Sequence, residues 1–252
     1  MGSFIDVDDV HVYRAEPEGE VRGGVIVIHE IWGLVGHTRD VADRFAAQGY
    51  VTYAPDLLSE AGTTPEVGEE LQAIIGDMDD EVRAREQPRL RAAFAPNGSP
   101  EFAARATKKL VKVLDALEQE PGVDGRLGVV GFCFGGSYAF ELAVVDSRIR
   151  ASVPFYGSPP TADKMGSIEC PVFALYGEED VNLVDDLPEL KAGMEKAGVD
   201  FRVKVYDHAG HAFFNDQNER QGEPEAAADA WPRVLAFFDE TLNPTAADTA
   251  AR

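Results

Sequence analysis

The strongest constraint in this sequence is a set of short apolar runs rich in β-branched residues, each separated from the next by an amphipathic stretch. Gly24-Val25-Ile26-Val27-Ile28-His29 carries no polar side chain before its last position. A run of that kind suits a strand buried on both faces, as in a parallel sheet covered by helices. Tyr50-Val51-Thr52-Tyr53-Ala54, closed by Pro55, reads as a second strand, and Leu127-Gly128-Val129-Val130-Gly131-Phe132 as a third. Val153 to Tyr156, Val172 to Tyr176 and Phe201 to Tyr206 are further strand candidates. Helical patterns fall near 101–119, 135–146, 187–197 and 225–241. Thr38 reads as the N-cap of a helix through about Gln48, with Gly49 as its stop. Strand and helix alternation at this spacing predicts an α/β chain with a mostly parallel sheet and helices on both faces.

No linker-like change of composition divides these units, so residues 1–242 are expected to form a single domain. The segment 57–100 breaks the alternation. It offers no convincing strand, while Glu66 to Ile75 and Asp80 to Ala93 look helical. Two readings stand: a helical insert that walls or lids a pocket, or a long connection packed on the sheet's edge. Residues 243–252 are rich in Ala, Thr and Asp and are expected to form a frayed tail.

Charge narrows the partners. Asp and Glu number 45 against 23 Lys and Arg, a net charge of −22 over 252 residues. Such a surface repels phosphate backbones, which argues against nucleic acid. Cys133 and Cys170 are the two cysteines, too few for a disulfide framework. No apolar run approaches the roughly 20 residues of a membrane span. The first nine residues hold Asp6, Asp8 and Asp9 and no basic residue, unlike a signal or transit peptide. The expectation is a cytoplasmic protein acting on a small molecule, as a monomer or small homo-oligomer, without nucleic-acid or membrane partners.

Chemistry concentrates at Gly131-Phe132-Cys133-Phe134-Gly135-Gly136, which follows one predicted strand directly and precedes a helix. This is the layout of a nucleophile elbow, Gly-x-nucleophile-x-Gly, with Cys in place of the usual Ser. Glycines two residues to either side leave room for backbone at a sharp bend, and a helix N-terminus under the thiol favours thiolate. The competing reading is a buried structural cysteine. A nucleophile needs a base, and the base an orienting acid. Of five histidines, His211 lies in Gly210-His211-Ala212-Phe213, between the last strand and last helix, where elbow folds place the base. His208 is the competitor, and Gly210 is expected to give His211 its tight turn. Asp180, at the end of a short loop after Val172–Tyr176, is the candidate acid, with Glu178 and Glu179 as alternatives.

Metal chemistry has little support. His29-Glu30 lacks a second His four residues on, because position 33 is Gly, and His208-x-x-His211 with Asp207 has no third cluster behind it. Gly33-Leu34-Val35-Gly36 lacks the Lys-Ser/Thr ending of a phosphate loop. No cofactor or metal is expected.

Taken together, His29-Glu30-Ile31-Trp32-Gly33, Gly49-Tyr50-Val51, Ala54-Pro55-Asp56-Leu57, the elbow, Tyr156-Gly157, Gly177 with Asp180, and Gly210-His211-x-Phe213 resemble the dienelactone hydrolase family. That family is a cysteine branch of the α/β-hydrolase fold. The resemblance implies a Cys133, Asp180 and His211 triad and an oxyanion hole from the backbone N–H groups of Ile31 and Phe134. It also implies that Glu30 sits beside the cysteine and helps switch thiol to thiolate when substrate binds. Family members that cleave dienelactone hold its carboxylate with arginines, one of them four residues after the histidine, where this chain has Asn215. An amide does not reproduce a bidentate guanidinium contact. Arg83, Arg85, Arg89 and Arg91 in the insert are other candidate cations. The expected activity is hydrolysis of a carboxylic ester or lactone through an acyl-enzyme. The alternatives are a redox-sensing or binding thiol protein without turnover, and a hydrolase of thioester or C–halogen bonds.

Overall fold

A computed structural model describes residues 1–77, 79–217 and 222–244. The chain opens with β1 (Ser3–Val7) and β2 (Val10–Ala15), then β3 (Gly23–Ile28), α1 (Gly36–Ala47) and β4 (Tyr50–Pro55). The insert contributes α2 (Pro65–Gly76) and α3 (Asp80–Phe94) before α4 (Pro100–Glu118). There follow β5 (Leu127–Phe132), α5 (Phe134–Val145), β6 (Ile149–Phe155), α6 (Ala162–Met165) and β7 (Val172–Gly177). The last elements are α7 (Val181–Asp185), α8 (Leu187–Ala197), β8 (Phe201–Tyr206) and α9 (Pro224–Leu242). The expected tail falls almost wholly outside the described residues.

The strands form one eight-stranded sheet in the order β1-β2-β4-β3-β5-β6-β7-β8. From β4 to β8 all neighbours are parallel, while β1 pairs antiparallel with β2 and β2 with β4. Alternation along each central strand builds two cores. Val25 and Val27 of β3, with Val130 and Phe132 of β5, face the side covered by α1 and α9. Ile26 and Ile28, with Leu127 and Val129, face α4, α5 and α8. Both faces are thereby dry, which is why these strands read as uninterrupted apolar runs.

Two local expectations need correction. Thr38 is not the cap of α1. The helix starts at Gly36 with Val35 in the capping position, no side chain caps it, and Thr38 is buried within the first turn. Burial of Leu34 and Val35, each 1% exposed, draws the chain into the helix earlier than a hydroxyl cap would. The β1–β2 hairpin has no counterpart in the sequence reading. Its first strand lies at the sheet edge with Ser3, Phe4 and Asp6 exposed, so no apolar run marks it. Acids on an edge strand also discourage pairing with other chains.

Among its described residues the insert holds no strand. Leu71 of α2 and Leu90 of α3 are buried with Trp32 and Val35 in a third apolar cluster, which also takes in Ile31 and Phe94. Trp32 meets Phe94 edge-on at 5.4 Å between ring centres. The insert therefore packs on the segment that follows β3, at the carboxyl end of the sheet. No helix among the described residues is long and apolar enough to cross a membrane.

Candidate active site

Three parallel strands deliver side chains to one end of the sheet. At the end of β5 the chain turns at Cys133 straight into α5, with Cys133 at φ 55° and ψ −113°. A non-glycine residue there is held against its backbone preference, at a cost of about 1–3 kcal/mol. The glycines on either side are required by contact. A Cβ on Gly131 would lie 1.9 Å from the Gly135 carbonyl oxygen, and one on Gly135 would lie 2.2 Å from that of Ile28. Hydrogen bonds pin the bend, from Cys133 N–H to the Phe155 carbonyl at 3.0 Å and from Ser137 N–H to the Cys133 carbonyl at 3.2 Å. The thiol is half-buried rather than sealed in the core.

Asp180 follows β7 and precedes α7, and its Oδ2 pairs with Nδ1 of His211. The loop after β8 comes this close because Gly177 has no side chain: a Cβ there would meet the Ala209 and Gly210 carbonyl oxygens at 2.3 and 2.5 Å. The turn itself is not made by Gly210, as the sequence suggested. Its left-handed positions are His208 (φ 58°) and Ala212 (φ 66°). Burial is the largest single influence on His211 and lowers its pKa. Hydrogen bonds to Asp180 and Cys133, with the charges of both, outweigh it and lift the imidazole to about 10. Both Asp180 and Cys133 thus favour the protonated ring. His208 is exposed and lies 3.9 Å from Glu178, away from this group. Glu178 accepts from the His208 N–H at 2.9 Å and Glu179 lies one residue short of the imidazole partner. Among the described residues no cluster of His, Cys, Asp and Glu is arranged to hold a metal ion.

Glu30 follows β3 and is buried, 2% exposed. Its Oε1 accepts from the Tyr156 hydroxyl at 3.2 Å and its Oε2 from Asn215 Nδ2 at 2.6 Å. Tyr156, at the end of β6, is buried with φ 39° and lies 5.1 Å from the His211 ring, centre to centre. Burial first, then the charges of Glu30 and Cys133, push its phenol well above the ordinary range. Glu30 is thus hydrogen-bonded to a phenol whose ring packs beside His211. Tyr156 and Asn215 had no functional role in the sequence reading beyond family resemblance and an absent arginine. Nothing in one sequence pairs Asn215 with a carboxylate 185 residues away. The candidate cations of the insert are engaged locally: Arg83 with Asp80, Arg85 with Glu86 and Arg89 with Glu70. Arg91 is exposed.

The remaining requirement is for free donors near the thiol. Among the described residues, neither the Ile31 N–H nor the Phe134 N–H donates a hydrogen bond. Ile31 is half-buried beside Glu30, and Phe134 directly follows Cys133.

Sheet order, elbow and crossing loops define a hydrolase of the α/β-hydrolase fold. Residues 10–242 match the dienelactone hydrolase family, and the chain belongs to it. A protein of Saccharolobus solfataricus provisionally named carboxymethylenebutenolidase is 31% identical, over 93% of this chain and 96% of its own. Protein usf of Aquifex pyrophilus is 34% identical, over 87% of this chain and 88% of its own. The crystal structure of a protein from Klebsiella pneumoniae, provisionally named dienelactone hydrolase, superposes with a TM-score of 0.78 at 25% identity. It covers 95% of this chain and 98% of that one.

Proposed function

We propose that this hydrolase cleaves carboxylic esters or lactones with Cys133 as nucleophile, His211 as general acid and base, and Asp180 as the residue that orients the imidazole. The observation that carries the reading is the His211 ring, paired with the acid after β7 and favoured in its protonated form by that acid and by the thiol on the strained elbow. Cys133 Sγ adds to the carbonyl carbon, and the tetrahedral oxyanion is received by the N–H groups of Ile31 and Phe134. His211 gives its proton to the departing alkoxide, leaving a thioester. Water then adds to that thioester while His211 takes its proton. Collapse expels the Cys133 sulfur and frees the acid. Glu30 acts as the thiol switch. Its carboxylate opposes thiolate when near the sulfur, and its hold on Tyr156 and Asn215 sets where that charge sits. The name of the Saccharolobus relative supports lactone substrates. With Asn215 committed to Glu30, recognition of an acid group by that position is not part of the proposal.

The test is turnover of p-nitrophenyl acetate. Wild type should release many equivalents of nitrophenol per protein, and Cys133→Ala none above background with unchanged thermal unfolding. A burst that stops at one equivalent would instead mark a thiol that captures electrophiles without hydrolysis. Activity that survives in Cys133→Ala would remove the nucleophile assignment.

A further inference from the structure

The residue just before Glu30 is a histidine with no assigned role. His29 is 0% exposed, yet both ring nitrogens are engaged. Nδ1 lies 2.6 Å from the carbonyl oxygen of Glu30, and Nε2 lies 3.1 Å from the backbone nitrogen of Leu57. A carbonyl can only accept and a backbone N–H can only donate, so the proton must sit on Nδ1 and Nε2 must accept. Burial lowers the pKa of the ring. The charge of Asp56 and the contact with Glu30 oppose that shift without cancelling it, which keeps the imidazole neutral. Asp56 is itself occupied by the N–H groups of Leu58 and Ser59 and by the Ser59 hydroxyl.

The Glu30 carbonyl and the Ile31 N–H are opposite ends of a single planar peptide group. A proton donated to that oxygen fixes the plane and polarises it, so the N–H at the far end is aimed and made a better donor. Gly33 N–H also donates to this oxygen at 3.1 Å, leaving the peptide little freedom to rotate. The imidazole lies flat against the Phe134 ring, 5.6 Å between centres and 3° between planes. One buried side chain therefore contacts the Phe134 ring and the peptide group that carries the Ile31 N–H.

We propose that His29 is a positioning residue for the oxyanion hole, holding the Ile31 and Phe134 donors in register through its Nδ1–H bond and its stacked ring. This rests on the ester-hydrolase reading above. His29 touches no substrate atom; it acts through the peptide that does.

Three variants separate its contacts. His29→Leu removes both hydrogen bonds. The amide of Asn lies at the level of Nδ1 and that of Gln at the level of Nε2, so His29→Asn keeps a donor for Glu30 and His29→Gln keeps an acceptor for Leu57. A small misplacement of catalytic groups costs up to about 100-fold and loss of an oxyanion donor about 100-fold or more. His29→Leu and His29→Gln should lower kcat on p-nitrophenyl acetate by roughly 10- to 100-fold with little change in KM. They should also weaken an aryl trifluoromethyl ketone, whose adduct with the thiol is a tetrahedral oxyanion, by a like factor. His29→Asn should recover most of both losses. Alkylation of Cys133 by iodoacetamide forms no oxyanion and should keep its wild-type rate in all three. The proposal is overturned if His29→Asn is no better than His29→Gln, or if alkylation falls in step with kcat. If His29→Leu does not fold, the Asn and Gln pair carries the same comparison. Absence of wild-type turnover, or turnover in Cys133→Ala, would refute the underlying reading and is told apart from failure of the His29 role by those controls.

Discussion

Removing the amide that holds Glu30 puts a number on the polar group at the site. In Asn215→Leu the side chain keeps nearly its volume and loses its hydrogen bonds. Glu30 is buried, and its shorter bond is the one to Asn215 Nδ2, at 2.6 Å against 3.2 Å for Tyr156. Loss of a hydrogen bond to a buried charged group costs about 1.5–3 kcal/mol. Asn215 Oδ1 also accepts from the Gln217 N–H at 3.1 Å, a neutral bond to a part-buried group worth about 0.5–1.5 kcal/mol. Together the substitution should destabilise the fold by about 2–4.5 kcal/mol. For a chain of this size that is a fall of roughly 5–15 °C in Tm. Urea unfolding measures the free energy directly. The sharper readout is a double-mutant cycle with Glu30→Met, in which no carboxylate is left to strand. In that background Asn215→Leu should cost no more than about 1.5 kcal/mol, the share owed to Gln217. An equal cost in both backgrounds would refute the view that Asn215 is there to satisfy Glu30.

Other expectations follow from single contacts. A Cβ on Gly68 of α2 would lie 1.7 Å from the Trp32 carbonyl oxygen, so Gly68→Ala should push the insert off the loop after β3. Esterase activity should fall by about tenfold or more as the Ile31 donor shifts, and an unchanged kcat would uncouple insert from site. The His211 pKa, lifted from 6.5 to about 10, means the folded state binds its proton more tightly. That contribution to stability is complete below pH 6.5 and is lost as pH rises through about 10. The Tm difference between wild type and His211→Gln should therefore shrink steadily across that range, and a difference that grew would reverse the sign. Burial pushes the Cys170 thiol up to about 12, so iodoacetamide should label one thiol per folded chain at neutral pH. Peptide mapping that finds Cys170 alkylated would contradict its place in the core.

What the sequence made legible is what depends on chain order and close contact. The elbow could be read because the bend tolerates no side chain at Gly131 or Gly135, and the sequence therefore spells it out. Asp180 could be chosen among 45 acids because strand order places one loop between nucleophile and histidine. Thr38 misled because capping preference is a local rule, whereas the start of α1 is set by burial of Leu34 and Val35. The hairpin of β1 and β2 was silent because an edge strand has no dry face to declare. Gly210 misled in the opposite way, since the left-handed positions of that loop are carried by His208 and Ala212, residues that give no sign of it. The network behind the thiol is the deepest case. Glu30, Tyr156 and Asn215 follow three different strands and meet only in space, and each residue type alone is common. His29 differs from them. A histidine that follows a wholly apolar strand must find partners for two ring nitrogens in a dry interior, and it finds one on the loop that carries Glu30 and Ile31 and the other at Leu57 after β4. The need to satisfy a buried imidazole and the need to fix a donor for the reacting carbonyl are then met by one hydrogen bond, so a substitution made for stability at this position carries a catalytic consequence.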